Sequence, residues 1–201
     1  MIETSDNKLF QNIQIAFAIV AVLWLVHIFD WICPGTMKIY GLRPRDSKHL
    51  LGIVYYPFLH GSFKHLIGNS GPLLVLLIIS LSLSRKMTGC AIFIIMFGGG
   101  GAVWLFGKPN TVHIGASGVI FGLIGFLLFI GVFQKKWKPL VFSLIVFFVY
   151  GGVLISLFTI VPGVSWSGHF WGFISGITAA WLMRNSENEA QNQTQIDTNL
   201  S

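Results

Sequence analysis

Charged residues are scarce in this chain. Only 10% of its 201 residues are charged, whereas 54% are hydrophobic. A soluble domain of this size could not cover its surface with so few charges. The hydrophobic residues form six long runs, at about 11–32, 65–84, 88–106, 113–131, 139–158 and 168–184, and such runs are typical of membrane spans. The sequence therefore predicts an all-α polytopic membrane protein, a bundle of six transmembrane helices.

Cysteines and carboxylates are also few. Cys33 and Cys90, predicted on opposite faces of the bilayer, cannot form a disulfide framework and are too few for a zinc site. Asp46 is the last acidic residue before Glu187, and we expect no carboxylate within the predicted spans. An aspartic intramembrane protease needs two carboxylates in its spans, and a zinc protease would carry an H-E-x-x-H motif. We find neither pattern, and we expect no metal and no cofactor.

The net charge of +6 is explained by basic residues in loops rather than by a nucleic-acid surface. Short loops with clustered charges report orientation best. The basic residues that the six-span topology places on the same side as both termini indicate that this side is cytoplasmic. They are Lys8, Arg85, Lys86, Lys135, Lys136, Lys138 and Arg184. We expect one six-span membrane domain over residues 1–184, in a bacterial plasma membrane. Residues 185–201 are predicted to form a polar, disordered cytoplasmic tail.

Four polar residues are predicted to lie in one layer near the outer face. His65 and Asn69 fall in the first turns of span two, Ser117 is the fifth residue of span four, and His169 opens span six. At 1.5 Å rise per residue, all four lie within roughly 8 Å of where their helices begin. An embedded histidine is costly unless it has a partner and a task. A serine and a histidine that can accept its proton are together sufficient for nucleophilic catalysis.

Stripes of small residues follow two of these spans. Span four carries Gly118, Gly122 and Gly125, and span six carries Gly168, Gly172, Gly176 and Ala180. Small residues at this spacing let transmembrane helices pack closely, which would bring a serine Oγ and an imidazole nitrogen within about 2.6–3.2 Å. Ordinary membrane-helix packing explains the stripes equally well.

His65 and Asn69 share one helix face because they are four residues apart. Their side chains could donate hydrogen bonds to an oxyanion, together with the backbone N–H of Ser117. The alternative interpretation is an interfacial histidine beside a helix-capping asparagine.

Three motifs on alternate spans carry a resemblance. They are His60-x4-His65-x3-Asn69 in span two, Gly115-x-Ser117-Gly118 in span four, and His169-x2-Gly172-x3-Gly176 in span six. In this order the motifs are highly specific. Over about residues 10–184 the chain resembles the rhomboid intramembrane serine proteases in their minimal six-span form.

The resemblance implies a role for each matching residue. Ser117 would be the nucleophile and His169 the general base and acid. His65, Asn69 and the Ser117 amide would form the oxyanion hole, and His60 would be structural. Gly115, Gly118 and Gly172 would lie near the site. Phe121 stands where relatives often have a tyrosine stacked beneath the catalytic imidazole, so the ring is kept and the hydroxyl is lost.

The resemblance also concerns two lateral elements of the family. Loop 33–59 would be the half-submerged lateral element, but the family's Trp-Arg pair is not visible there, and Arg43 and Arg45 have no preceding tryptophan. Span five, with Phe142, Phe147 and Phe148, would be a lateral substrate gate. Aromatic residues facing lipid are an equally good interpretation.

The expected function is hydrolysis of a peptide bond near the outer end of a transmembrane helix, in single-span or polytopic membrane-protein substrates. The site would open to the outer face. A catalytically inactive rhomboid-like binder of membrane clients is one alternative, although both nucleophile and base are present. A small transporter is another, suggested by Gly98–Gly101, but the sequence offers no coupling-ion site and no inverted repeat.

Overall fold

The computed structural model describes residues 5–33, 37–157 and 165–185. The α-helices are α1 (Ser5–Ile32), α2 (Gly52–Tyr55), α3 (Phe63–Leu83), α4 (Arg85–Ile94), α5 (Gly100–Phe106), α6 (Ser117–Gln134), α7 (Trp137–Tyr150) and α8 (Trp166–Leu182). Short 3₁₀ segments occupy Lys38–Tyr40, Ser47–His49, Tyr56–Phe58 and Gly151–Leu157. The described residues contain no β-strand, so the predicted all-α class is confirmed.

Five helical segments are long and apolar enough to cross a membrane. They are Asp6–Ile32, Phe63–Leu83, Arg85–Phe106, Ser117–Gln134 and Trp137–Ile155. The sixth predicted span corresponds to α8, which has 17 residues and stands at the short end of the usual spanning length. Its crossing stays a prediction. Nearly all of the predicted tail, residues 186–201, lies outside the described residues.

Helix α6 is the central helix, because it has the largest buried share of the five spanning segments. Its glycines pack directly against α8. A Cβ on Gly172 would contact the carbonyl oxygen of Gly118, and a Cβ on Gly176 would contact that of Gly122. The close approach predicted from the two glycine stripes is therefore confirmed.

The glycine run after α4 combines a widened turn with close packing. Residues Ile95–Gly99 form a π-helical turn between α4 and α5. A Cβ on Gly99 would lie 3.4 Å from the Cα of Gly172 and 3.4 Å from Oγ of Ser175. The π turn therefore lies against α8, on the helix surface that also packs on α6.

The first loop is anchored without a Trp-Arg pair of its own. Arg45 donates from Nη1 to the carbonyl of Leu105 (2.9 Å) and from Nη2 to that of Gly107 (3.0 Å). Trp104 of α5 donates its indole N–H to the carbonyl of Asp46 (3.2 Å). The tryptophan and the arginine that hold this loop against α5 thus come from different elements.

Candidate active site

Helix α6 begins at Ser117, four residues later than the sequence suggested. His113 lies in an extended segment that pairs with Leu42 in an isolated antiparallel bridge. Gly115 has a φ of +114°, a conformation that only glycine adopts readily, and its N–H donates to the carbonyl of Tyr56 (2.8 Å). The expectation that Ser117 is the fifth residue of its span is therefore wrong, because these constraints keep 113–116 out of the helix.

This start places Ser117 at the positive end of a helix. The first N–H groups of a helix have no acceptor within it, and the macrodipole favours negative charge there. The side chain of Ser117 is half-buried and lines a small pocket together with Tyr56 and Gly168. A developing oxyanion at this position would meet both an available N–H and a favourable field.

His169 lies in the first turn of α8, as its fourth residue rather than its first. Ser165 caps the helix, since its Oγ accepts from the N–H of Gly168 (3.1 Å). The imidazole is buried and stacks on the ring of Phe121, with centroids 4.1 Å apart and planes inclined by 13°. Among the described residues its Nδ1 has no hydrogen-bond partner, so no carboxylate orients this ring.

The N-terminal ends of α6 and α8 lie side by side. A Cβ on Gly118 would lie 3.4 Å from the carbonyl oxygen of Gly168, and Ser117 and Gly168 line the same pocket. No hydrogen bond joins Ser117 Oγ to the His169 ring among the contacts of the described residues. Catalytic hydrogen bonds are often long in a resting site and shorten when substrate binds. The Ser117–His169 contact stays a prediction.

The side chains of His65 and Asn69 converge on the turn before Ser117. A Cβ on Gly115 would lie 2.8 Å from Nε2 of His65 and 3.4 Å from Nδ2 of Asn69. Asn69 is buried and donates one amide hydrogen to Nε2 of His60 (3.1 Å). An amide NH₂ has two hydrogens, so a second donor remains available.

His60 links these groups to the backbone of α6. Its Nε2 also accepts from the N–H of Ala116 (3.4 Å), and its Nδ1 contacts the carbonyl of Phe58 (3.3 Å). Burial lowers the pKa of His60 to about 4, so the ring is neutral at pH 7 with its hydrogen on Nδ1. His60 can therefore accept at Nε2 and hold Asn69 beside the residue that precedes Ser117.

The prediction that the spans carry no carboxylate is wrong for α1, which contains Asp6 and Asp30. Asp30 of α1 is buried, and its Oδ1 accepts from the N–H of Met37 (2.9 Å). Asp6 and Asp30 are 24 residues apart, which is about 36 Å along the helix at 1.5 Å per residue, so they cannot form the close pair that an aspartic protease needs. Across 5–33, 37–157 and 165–185, no group of three His, Cys, Asp or Glu side chains could hold a metal ion. Cys33 and Cys90 are not joined in a disulfide.

Three residues near the site were missed by sequence reasoning. Tyr56, His113 and Ser165 line the same pocket as Ser117. Ser165 could have been found, because a serine immediately before an apolar helix is a typical N-cap. His113 and Tyr56 could not, because their contacts join segments far apart in the chain.

Comparison with known proteins gives a consistent picture. The family model described as "Rhomboid domain" matches residues 47–186. An uncharacterized protein of Mycobacterium tuberculosis (strain H37Rv) is 40% identical over 182 residues, covering 86% of this chain and 75% of the relative. One of Mycobacterium leprae is 38% identical over 181 residues, covering 85% and 71%. A Bacillus subtilis protein named "Putative rhomboid protease YdcA" is 27% identical over 191 residues, covering 87% and 89%.

Proposed function

This chain belongs to the rhomboid family of intramembrane proteases, and from that premise we propose that it is a serine endopeptidase with a Ser117–His169 dyad. Its substrates would be membrane proteins, single-span or polytopic, cut in or near a transmembrane segment. The chain itself is an integral membrane protein, with several apolar helices of spanning length.

The observation that carries the proposal is the meeting of three helix starts. His65 and Asn69 of α3 approach the turn at Gly115, which leads directly into Ser117 at the start of α6. His169 lies in the first turn of the neighbouring helix α8. Each of these residue types suits one part of acyl transfer: a nucleophile, a base and hydrogen-bond donors for an oxyanion. Polar residues that were present only by chance would not be expected to converge on one backbone turn.

The proposed reaction begins with attack of Ser117 Oγ on the scissile carbonyl carbon while His169 takes the hydroxyl proton. The oxyanion is held by the Ser117 N–H, the free amide hydrogen of Asn69 and the His65 ring. The intermediate collapses to an acyl-enzyme as His169 protonates the departing amine. Water, deprotonated by His169, then hydrolyses the ester and restores the serine.

Phe121 would take over part of the role that a carboxylate plays in a triad. When His169 holds the proton, the imidazolium lies over the face of the Phe121 ring at 4.1 Å. A cation over an aromatic face is stabilised by about 0.5–2 kcal/mol. The stack would therefore both orient the ring and stabilise its charged form.

Orientation follows the basic residues and the contacts at one end of the bundle. Arg85 at the start of α4 donates to Asn12 of α1 (2.7 Å), and Gln134 at the end of α6 donates to the carbonyl of Met183 (3.5 Å). We infer that this end is cytoplasmic in a plasma membrane, with both termini there. The polar layer around Ser117 would then open to the outer face.

The test is cleavage of single-span substrates by the purified protein in lipid vesicles, with the cut site mapped by mass. Wild type should cut near the outer end of the span, and Ser117→Ala should lose at least about 10³-fold in rate. Ser82→Ala, which removes an exposed hydroxyl bonded only to the carbonyl of Ile78, is the matched control. Undiminished cleavage by Ser117→Ala would refute the assignment, and a wild type that binds the substrates without cutting them would favour the inactive binder.

A further inference from the structure

A hydrogen-bonded chain joins the segment before Ser117 to the cap before His169. His113 Nδ1 lies 2.6 Å from Ser165 Oγ, although the two residues are 52 positions apart. His113 precedes Ser117 by four residues, and Ser165 precedes His169 by four. The chain therefore spans the two elements that carry the proposed nucleophile and base.

The direction of each hydrogen bond can be assigned. Thr111 donates its hydroxyl hydrogen to the carbonyl of Lys108 (2.6 Å), so it must accept from Nε2–H of His113 (3.0 Å). His113 is buried, and burial lowers the pKa of its ring, which keeps it neutral at pH 7. Its Nδ1 then accepts the hydroxyl hydrogen of Ser165, and every polar atom of the chain has a partner.

Both ends of the chain are fixed to backbone. At one end, the N–H and carbonyl of His113 exchange hydrogen bonds with Leu42 (2.9 and 3.0 Å). At the other, Ser165 accepts from the N–H of Gly168 (3.1 Å) through Oγ and from the N–H of His169 (3.1 Å) through its carbonyl. Moving the His113 ring would therefore move the first turn of α8 relative to the start of α6.

The glycine contacts do not fix this end by themselves. Helix α8 packs against α6 beyond its first turn through two glycine pairs, Gly172 with Gly118 and Gly176 with Gly122. Nearer the helix starts, a Cβ on Gly118 would still lie 3.4 Å from the carbonyl oxygen of Gly168, and the hydrogen bond between Ser165 and His113 adds a side-chain contact there. The position of His169 relative to Ser117 thus depends both on this side-chain contact and on the backbone packing of α8 against α6.

We propose that His113 is a positioning residue, which acts through Ser165 to set the approach of the His169 ring to Ser117. This inference rests on the proposed function. A displacement of about 1 Å at a catalytic group can cost about 100-fold in rate. Removing His113 should therefore lower kcat by about 10- to 100-fold and leave KM within about twofold, since the ring touches neither reacting group.

The experiment compares His113→Ala, His113→Asn and His113→Gln in cleavage of one single-span substrate in vesicles, with thermal unfolding measured alongside. Asn places an acceptor oxygen where Nδ1 stands and should restore most of kcat. Gln places its polar atoms near Nε2, so it should keep only the Thr111 contact and remain slow. His49→Ala is the control, because His49 lies in the loop between α1 and α3, where its ring bonds to Asp46 (2.7 Å), and its loss should leave kcat unchanged.

A double-mutant cycle with Ser165→Ala completes the test. If His113 acts through Ser165, the double variant should be no slower than the slower single variant, whereas independent roles would multiply the two losses. Equal kcat for wild type and His113→Ala would overturn the proposal, as would a parallel loss of rate and thermal stability that His113→Asn does not restore. If the wild-type protein does not cleave the substrate, the proposed function is refuted, and the proposed role of His113 is refuted with it.

Discussion

Gly172 of α8 is the position where one methyl group should disturb the site most. In Gly172→Ala the new Cβ would lie 3.0 Å from the carbonyl carbon of Gly118 and 3.2 Å from its Cα, and closer still to the carbonyl oxygen. Non-bonded carbon atoms prefer about 3.5–4.0 Å. The new Cβ and the Gly118 atoms that it meets are fixed to the two helix backbones, so no side chain can rotate out of the way. Helix α8 must therefore move away from α6 by about 1 Å to restore ordinary contact distances.

His169 lies one turn before Gly172, so it moves by a similar amount. At about 100-fold per ångström of misplacement, kcat/KM for a transmembrane substrate should fall about 100-fold. The assay is initial-rate cleavage in lipid vesicles, with thermal unfolding measured to confirm that the helices still pack.

The matched control is Gly89→Ala in α4, where an added Cβ meets nothing within 4 Å. This change should leave the rate unaltered and raise stability by about 0.5–1 kcal/mol. A folded Gly172→Ala protein as active as Gly89→Ala would refute the reasoning, since it would show that the close approach of α6 and α8 does not set the position of His169.

Three further outcomes follow from the same contacts. Asn69→Ala should lower kcat about 10²- to 10³-fold by removing an oxyanion donor, whereas an unchanged kcat would exclude that role. Phe121→Leu removes the ring stacked on His169 and should slow cleavage by about 2- to 30-fold. Phe121→Tyr keeps the ring and should cleave at close to the wild-type rate. Equal rates for the two variants would show that stacking is unimportant. Because burial lowers the pKa of His60 from 6.5 to about 4, the unfolded chain binds a proton that the folded chain does not, so the thermal midpoint should fall as pH drops from 6.5 to 4. His60→Gln should flatten this dependence, and an equal slope in both proteins would contradict the assignment.

The sequence predicted most of the architecture because membrane spans are encoded locally. A run of about 20 apolar residues is sufficient to indicate a spanning helix, and five such helices are present. The glycine stripes predicted the α6–α8 contact for a similar reason, since small residues at every fourth position have few uses other than close packing.

The start of α6 could not be predicted, because its cause is not local. Hydropathy continues through residues 113–116, but their conformation is set by Leu42 and Tyr56, which pair with the backbone of this segment. A sequence pattern does not show that competition. The predicted span therefore began four residues too early, and Ser117 was placed one turn too deep.

The side-chain network could be predicted only in part. The spacing of His65 and Asn69 indicated one helix face, and both do approach Gly115. The bonds that His60 makes to Asn69 and Ala116, and that His113 makes to Ser165, connect different elements. Such contacts depend on how the helices are arranged, so they required coordinates.

Site-specific labelling tests the central proposal most directly. A fluorophosphonate added to the wild-type protein in vesicles should form one adduct, which mass mapping of the peptides places on Ser117. The same treatment of a folded His169→Ala protein should leave Ser117 unlabelled, because His169 is the proposed base that removes the proton from the Ser117 hydroxyl. Labelling at another residue, or equal labelling of Ser117 in both proteins, would contradict the dyad.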